Sequence, residues 1–498
     1  LDDTVNPLLS AAKLDRRYVW HPFTQMRDWM RREPIVVESA EGAIIRDVRG
    51  KEYLDANSSI WTNLHGHNHP AINAALQRQL KQISHSSALG LANVPASLLA
   101  RELVNLANPK GLRVGRSEPA RLTKVFFSDD GSTSMEVGLK LAQQFARRTR
   151  GIRKPRFLSM AGAYHGDTIG AVSLGHIDLF HRTYRPLLFK SDQVMAPYCY
   201  RCPFNRARPE RADAREYRRC NWECVDQVER KLARQRKKGN PYAAFVVEPL
   251  IQGAAGMIPQ PQGWLRKIAG LARAHGAQLI ADEVMTGFGR TSVSLGASGV
   301  QSEFACHHEG VQPDYLCLAK GLTGGYLPMA ATLTTQEVFD AFLGEYSEFK
   351  TFFHGHSYTG NQLGSAAARA SIRVLSSSES ARRRMRLEAD LRCELQQLWQ
   401  LPHVGDIRQV GLIVGIELVR TWQNREPFDL REQAGIRVCE AMVRRGVLTR
   451  PIGNVVVLMP PYCTTRSQLR RMVSVLRDAI DEVFHTASSS GAKSSRKR

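Results

Sequence analysis

A charge at the end of an apolar run needs a reason, and Lys320 ends the run Tyr315–Ala319 (YLCLA) with three glycines in the five residues that follow. Lysine is seldom fully buried unless it is paired or used chemically. An amine held in a dry, partly cationic site has its pKa lowered toward nucleophilic competence. A snorkelling surface lysine would read the same way. Asp282 presents the opposite charge in the same setting, directly after Gln278–Ala281 (QLIA). A carboxylate there is costly without a counter-charge or strong hydrogen bonds. A protonated ring nitrogen would satisfy it, and so would a helix-capping role.

Two further junctions have chemical potential. In SDDGSTSMEVGLKLAQQFARR a strand gives way to a turn of small residues and then a helix with apolar positions at Met135, Leu139, Ala142 and Phe145. Thr133 is expected to cap that helix and Glu136, three residues on, to answer back. The N–H groups of Gly131 and Ser132 would then face outward at a positive helix end, which suits a phosphate. Taken alone, an ordinary capped helix explains the pattern. In Gly162–Asp167 (GAYHGD), Tyr164 sits in a glycine-flanked turn after a strand, where an aromatic stacks on a flat heterocycle or simply packs in the loop. Together they offer a phosphate cup, a stacking ring, a carboxylate for a ring nitrogen and a strand-end lysine, in order along the chain. That set is what pyridoxal-5′-phosphate (PLP) requires of a protein.

The elements that must position these residues are short β-rich runs alternating with helical stretches. Lys124–Ser128, Arg156–Met160, Ala244–Val247, Gln278–Ala281 and Tyr315–Ala319 read as strands of an α/β domain with a largely parallel sheet. Ligands gather beyond the carboxyl ends of such strands. Residues 76–364 are assigned to this large domain. Residues 1–75 and 365–486 read as a mixed α+β pattern and are expected to pack together as a smaller one, with 487–498 as a disordered basic tail.

Bulk properties narrow the function classes. No apolar run approaches the roughly 18–20 residues that span a bilayer, and the first residues lack the layout of a secretory signal, so a cytoplasmic protein with no membrane partner is expected. Nine scattered cysteines in 498 residues fit a reducing compartment. The formal charge of +22 raises the question of nucleic acid, but the excess lies in the tail SSSGAKSSRKR and in arginines spread over helical stretches. No nucleic-acid partner is assigned.

From about His21 to Tyr462 the sequence resembles the class III aminotransferases of the fold-type I PLP superfamily, most specifically in Asp282, Thr286–Thr291 and Lys320–Gly325. The resemblance implies that Lys320 forms the Schiff base and shuttles the proton, Asp282 faces the pyridinium nitrogen and Tyr164 stacks on the ring. It makes Gly131 and Ser132 phosphate binders and packs Val284 on the other ring face. It also implies a homodimer in which Gly355, His356 and Ser357 reach the neighbouring subunit's site, with His356 and Ser357 at its phosphate.

Within the class, Trp20–Met26 (WHPFTQM), Asn63–Pro70 (NLHGHNHP), GAYHGDTIGAVS and LTRPIGNVVVLMPPY are similar to the branch that aminates 8-amino-7-oxononanoate in biotin synthesis. In that branch Arg450 pairs with the substrate carboxylate, a task suited to a planar two-pronged donor, while Arg290 and Trp61 line the site. The alternative is a class III transaminase for another ω-amine and α-keto acid. Phe23, Ile60 and Val457 stand where users of S-adenosylmethionine carry Tyr, Trp and Tyr. A sulfonium and an adenine both gain from aromatic walls, so L-lysine is the expected amino donor, with S-adenosylmethionine as the alternative. Cys199, Cys202, Cys220 and Cys224 resemble a four-cysteine zinc site in spacing. Similar cysteines recur in related aminotransferases, and no metal is assigned.

Overall fold

The computed structural model describes residues 7–112, 121–291 and 302–491. Its centre is a seven-stranded sheet whose order along the sheet is Leu122–Ser128, Ala330–Thr335, Tyr315–Leu318, Gln278–Asp282, Ala244–Val247, Phe157–Met160 and Asp192–Val194. Ala330–Thr335 is antiparallel to both its neighbours and the other pairings are parallel. All the strands but that one therefore point the same way. The central strands are buried at every position, which is why they read as continuous apolar runs rather than as alternating ones.

Helices close both faces. Gly131–Arg150 buries Met135, Leu139, Ala142 and Phe145 against Val246, Ile280, Tyr315 and Cys317. The other face carries a larger core that includes Phe245, Leu279, Leu316 and Trp264. Full burial of each large apolar side chain stabilises the fold by roughly 1.5–3 kcal/mol, enough to hold the polar strand ends fixed.

The two ends of the chain meet in one sheet. Val37–Glu41, Ile44–Asp47 and Glu52–Asp55 form an antiparallel set, and Val447–Leu448 joins it in parallel, with Val447 opposite Leu54. A further sheet comes wholly from the C-terminal part, built on Val404–Val410, Ile413–Thr421 and Val455–Leu458. The boundaries drawn from sequence at 75/76 and 364/365 fall inside continuous helices, Pro70–Leu80 and Gln362–Leu375. The assigned tail is also cut too early, because the last helix, Arg466–Gly491, runs into it. Residues 492–498 lie outside the described residues. Among the described residues, no helix is long and apolar enough to cross a membrane.

Candidate active site

Beyond the carboxyl ends of the sheet lies a cavity of about 420 Å³, and Lys320, Asp282, Tyr164, Val284, Gly131 and Ser132 all line it. Strand register brings the charged groups level. Ala281 sits opposite Val247, and Asp282 opposite Cys317. Glu248, the next residue after the Ala244–Val247 strand, therefore stands beside Asp282, and Lys320 follows two residues after the strand on the other side.

Lys320 opens a short 3₁₀ turn with φ 44°, a left-handed conformation unusual for a side chain with a Cβ. Its Nζ lies 4.8 Å from the centre of the Trp61 ring. Burial lowers the pKa of this amine, opposed by the negative charges of Asp282 and Glu248. Asp282 is the last residue of its strand. Its Oδ1 accepts from Val284 N at 3.1 Å, and its Oδ2 lies 2.7 Å from His165 Nδ1. Burial works against charge on His165, but the Asp282 carboxylate outweighs it and the imidazole pKa is raised. His165 and Asp282 thus form a buried hydrogen-bonded pair, with Asp282 fixed from one side and open to the cavity on the other.

The helix start differs from the sequence expectation. Asp130 is the cap, not Thr133: Asp130 Oδ1 accepts from Thr133 N at 2.8 Å, and Thr133 Oγ1 accepts from Asp130 N at 3.0 Å. Glu136 points elsewhere, accepting from Thr168 Oγ1 at 2.6 Å and Ala171 N at 3.1 Å. The helix begins earlier, and Gly131 and Ser132 become its first turn, whose N–H groups have no intrahelical acceptor. A Cβ on Gly131 would lie 2.7 Å from Val284 Cγ1, so only glycine lets the backbone approach this closely. Ser132 Oγ accepts from Asp167 N at 3.1 Å, and Tyr164 donates its hydroxyl to Asp167 Oδ2 at 2.8 Å. That tie fixes the Tyr164 ring at the cavity wall, parallel within 11° to His181.

Trp61 is held by an unusual turn. Ser58, Ser59, Ile60 and Trp61 all have positive φ, between 47° and 70°. Left-handed residues cost roughly 1–2 kcal/mol each, and the surroundings impose the turn. Asp55 Oδ1 accepts from Asn57 N and Ser59 N, Ser58 Oγ donates to Met459 O at 2.7 Å, and Trp61 Nε1 donates to Asn57 Oδ1 at 2.8 Å.

The remaining sequence candidates lie around this centre. His356 Nδ1 is 3.2 Å from Asp129 Oδ2, and Asp129 lines the cavity, while Gly355 and Ser357 are exposed. Phe23, 63% exposed, packs edge-on at 5.4 Å against Phe180, which packs edge-on against Tyr164. Ile60 is 44% exposed, whereas Val457 is 1% exposed in an apolar cluster with Met285 and Met459 that supports Trp61. Arg290 is buried with its guanidinium donating to Pro460 O at 2.9 Å and Asn63 O at 3.2 Å, over the Tyr462 ring. It braces the loops that carry the site and is not among the cavity's lining residues. Arg450 is exposed at the turn between Val447–Leu448 and Pro451–Ile452, also off the cavity wall. Cys199, Cys202, Cys220 and Cys224 line one small void, and no disulfide joins any of the nine cysteines. Among the described residues, no group of three or more His, Cys, Asp or Glu is placed to hold a metal.

Sequence reasoning gave no role to Glu248 or His165. Glu248 had the same signal as Asp282, an acid closing an apolar strand. The His165 contact to Asp282 joins residues far apart in the chain and leaves no local trace.

The cavity suits a flat cationic heterocycle carrying an aldehyde and a phosphate. It offers an amine at Lys320, a carboxylate at Asp282, an apolar wall at Val284, an aromatic one at Tyr164, and a helix N-terminus where a side chain on Gly131 would collide with Val284. Comparison with known proteins agrees. Residues 26–480 match the family model for class-III aminotransferases. An adenosylmethionine-8-amino-7-oxononanoate aminotransferase of Geobacter sulfurreducens is 46% identical over 472 residues, 95% of this chain and 96% of that one. The crystal structure of the enzyme of that name from Methanocaldococcus jannaschii superposes with a TM-score of 0.83 at 38% identity, covering 95% and 98% of the two chains. An amine transaminase from an uncultivated Pseudomonas species, solved in its PLP-bound form, gives 0.81 at 31% identity over 93% and 98%. With a family match over most of its length and a cavity whose residues suit the cofactor, the chain belongs to the class III aminotransferases, enzymes that work with pyridoxal 5′-phosphate.

Proposed function

We propose that this enzyme transfers an amino group to 8-amino-7-oxononanoate, giving 7,8-diaminononanoate for biotin synthesis, with L-lysine as donor. The observation that carries the transamination is the meeting of Lys320, Asp282 and the first turn of the Gly131–Arg150 helix in one cavity. The names of the full-length relatives support the keto substrate. Among solved structures, the amine transaminase is 31% identical against 38% for the enzyme from Methanocaldococcus jannaschii.

When bound, the cofactor supplies an aldehyde for the amines and a cationic ring that draws electrons from the bond being broken. Lys320 would hold it through Nζ, and the same Nζ, once released, takes and returns the proton that moves during amino transfer. Burial makes that nitrogen a competent base by disfavouring its charged form. Trp61 covers the amine, its ring centre 4.8 Å from Nζ. Asp282 would keep the ring nitrogen protonated, and His165 holds the carboxylate in place at 2.7 Å. Tyr164 and Val284 would sandwich the ring, and Gly131 and Ser132 would receive the phosphate, joined by His356 and Ser357 of a second copy. The exposed Phe353 and Tyr358 beside that loop support a homodimer. Arg450 would reach the substrate carboxylate from its exposed turn, with Phe23, Ile60, Trp61 and Gly355 around the path and Arg290 bracing the loops behind it. The scattered placement of the nine cysteines fits a cytoplasmic setting.

The donor rests on Ile60 and Val457, which lack the rings an adenine would stack on, and on Phe23, which keeps its ring but lacks a tyrosine's hydroxyl. S-adenosylmethionine is the second reading, favoured by the names of the relatives. Half-reactions test the choice: the bound cofactor's visible absorbance is followed after adding lysine or S-adenosylmethionine at equal concentration. Faster conversion by lysine is expected, and faster conversion by S-adenosylmethionine overturns the donor assignment while leaving the keto substrate intact.

A further inference from the structure

We propose that Glu248 is the group that accepts the proton from the donor's ammonium as the donor enters the cavity, so that the donor nitrogen arrives with a free electron pair. This rests on the aminotransferase reading and adds a residue to it.

The cavity contains few candidates for that task. An amine donor is cationic near neutrality and cannot attack until it loses a proton. Asp282 and His165 are bonded to each other, Asp129 is paired with His356, Asp130 caps the helix, and the Tyr326 hydroxyl is tied to the His69 backbone. Tyr164 has its pKa raised by burial and by Asp167. Lys320 is the residue that would hold the cofactor. Glu248 remains. It lines the cavity and stands level with Asp282 on the adjacent strand. Its Oε2 accepts from Gly253 N at 2.8 Å, which anchors the carboxylate, whereas Oε1 receives only a long 3.5 Å contact from Tyr164 N. Among the described residues, no cation bonds it directly. One oxygen is thus held and the other is available.

The surroundings tune it. Burial disfavours the carboxylate, His165 pulls the other way, the Asp282 charge adds to the rise, and the result is a pKa raised to about 7. Lys320 lies across the cavity with its own amine made less basic by burial. A base is most effective when its pKa lies near the working pH. The transfer balances as written: one N–H bond of the donor breaks, one O–H bond forms at Glu248, and the donor leaves a cation and a carboxylate as a neutral amine and a neutral acid.

Glu248→Gln keeps shape and removes the base, and Glu248→Asp keeps the base. The donor half-reaction is measured against pH on cofactor-loaded wild type and both variants, with lysine and with S-adenosylmethionine. The wild-type rate should show an acid limb near pH 7. Glu248→Gln should lose that limb and fall about 10²–10⁴-fold, and Glu248→Asp should regain the limb. A Glu248→Gln rate within threefold (~0.6 kcal/mol) of wild type with the limb intact overturns the proposal. The colour of the bound cofactor in the variants separates this failure from failure of the aminotransferase reading. A readout independent of turnover is the stability of the cofactor-free chain. A carboxyl whose folded pKa is raised from 4.5 to about 7 loses stability as pH climbs through that window, and the Gln variant should lack that part of the slope. Equal slopes in wild type and Gln variant count against a buried, titrating Glu248.

Discussion

Glu248 and Glu417 are both buried carboxylates at or in a strand, and they do opposite things. Glu417, in the Ile413–Thr421 strand, is surrounded by donors: Arg408 Nη1 at 2.8 Å, Arg201 Nε at 2.6 Å, and the Tyr198 hydroxyl. Burial would raise its pKa, but the two arginines overcome it and the net shift is downward. Glu248 has no such partner, and its pKa rises to about 7. Saturated charge makes structure, and charge left partly unmet beside a cavity makes chemistry. Asp406 shows that the raised pKa alone is not the marker. It too is pushed up, to about 8, with Arg408 no closer than 3.8 Å, yet it sits in a packed sheet rather than on the cavity wall. The distinguishing feature is the open space at Glu248, Asp282 and Lys320.

Removing groups from each region tests that contrast, and the largest effect should come at Lys320. Lys320→Ala is expected to fold and to retain cofactor without a covalent link, and to lose transamination. Turnover within tenfold of wild type (~1.4 kcal/mol) would remove the lysine from its role. Asp282→Asn comes next. It should lower turnover by about 10²–10³, in the range of other electrostatic deletions, while cofactor retention, followed by dialysis and absorbance, changes far less. Equal losses in both would make Asp282 structural.

Glu417→Gln should behave in the reverse manner. It removes the nearest carboxylate from Arg408, which is 1% exposed at its side chain and keeps only Asp406 at 3.8 Å, and from the half-buried Arg201. Breaking a buried pair by removing one partner costs about 3–5 kcal/mol, so the denaturation midpoint should fall clearly. Turnover per folded enzyme should stay within twofold (~0.4 kcal/mol). A large loss of turnover at unchanged stability would erase the distinction between the two regions.

The same contrast explains what could be read from sequence. Lys320 and Asp282 were legible because a charge ending an apolar strand is a local anomaly, and the parallel sheet followed from the continuous apolar runs. Glu248 had that signature too, but a single acid before a proline has many uses, and only its register beside Asp282 gives it one. The cap moved from Thr133 to Asp130 because both residues suit a helix start, and the choice was made by Glu136 finding Thr168 and Ala171 across a tertiary contact. Arg290 looked like a substrate ligand. Its acceptors, the carbonyls of Asn63 and Pro460, are far away in the chain and invisible to motif spacing. The left-handed turn at Ser58–Trp61 contains no glycine, so nothing local announced it.

The smallest effect should come from the rim, where neither kind of charge is involved. Phe23, Ile60 and Val457 were grouped from sequence as the positions that separate lysine from S-adenosylmethionine, but they are not equivalent in the fold. Val457 is 1% exposed and packs in the cluster behind Trp61. Enlarging it to tyrosine would overpack that cluster at about 1–3 kcal/mol and disturb Trp61, confounding any change in donor. Ile60 and Phe23 are exposed and have room for larger or more polar rings. One added aromatic contact is worth about 0.5–1.5 kcal/mol, so Ile60→Trp with Phe23→Tyr should shift the ratio of half-reaction rates toward S-adenosylmethionine by about two- to tenfold. Because both donors are measured on the same protein, strain from the left-handed backbone at position 60, φ 62° with Ile60 in place, enters both rates and cancels in their ratio. An unchanged ratio would mean that the donor is chosen deeper in the cavity, at Trp61 or Glu248, and not at its edge.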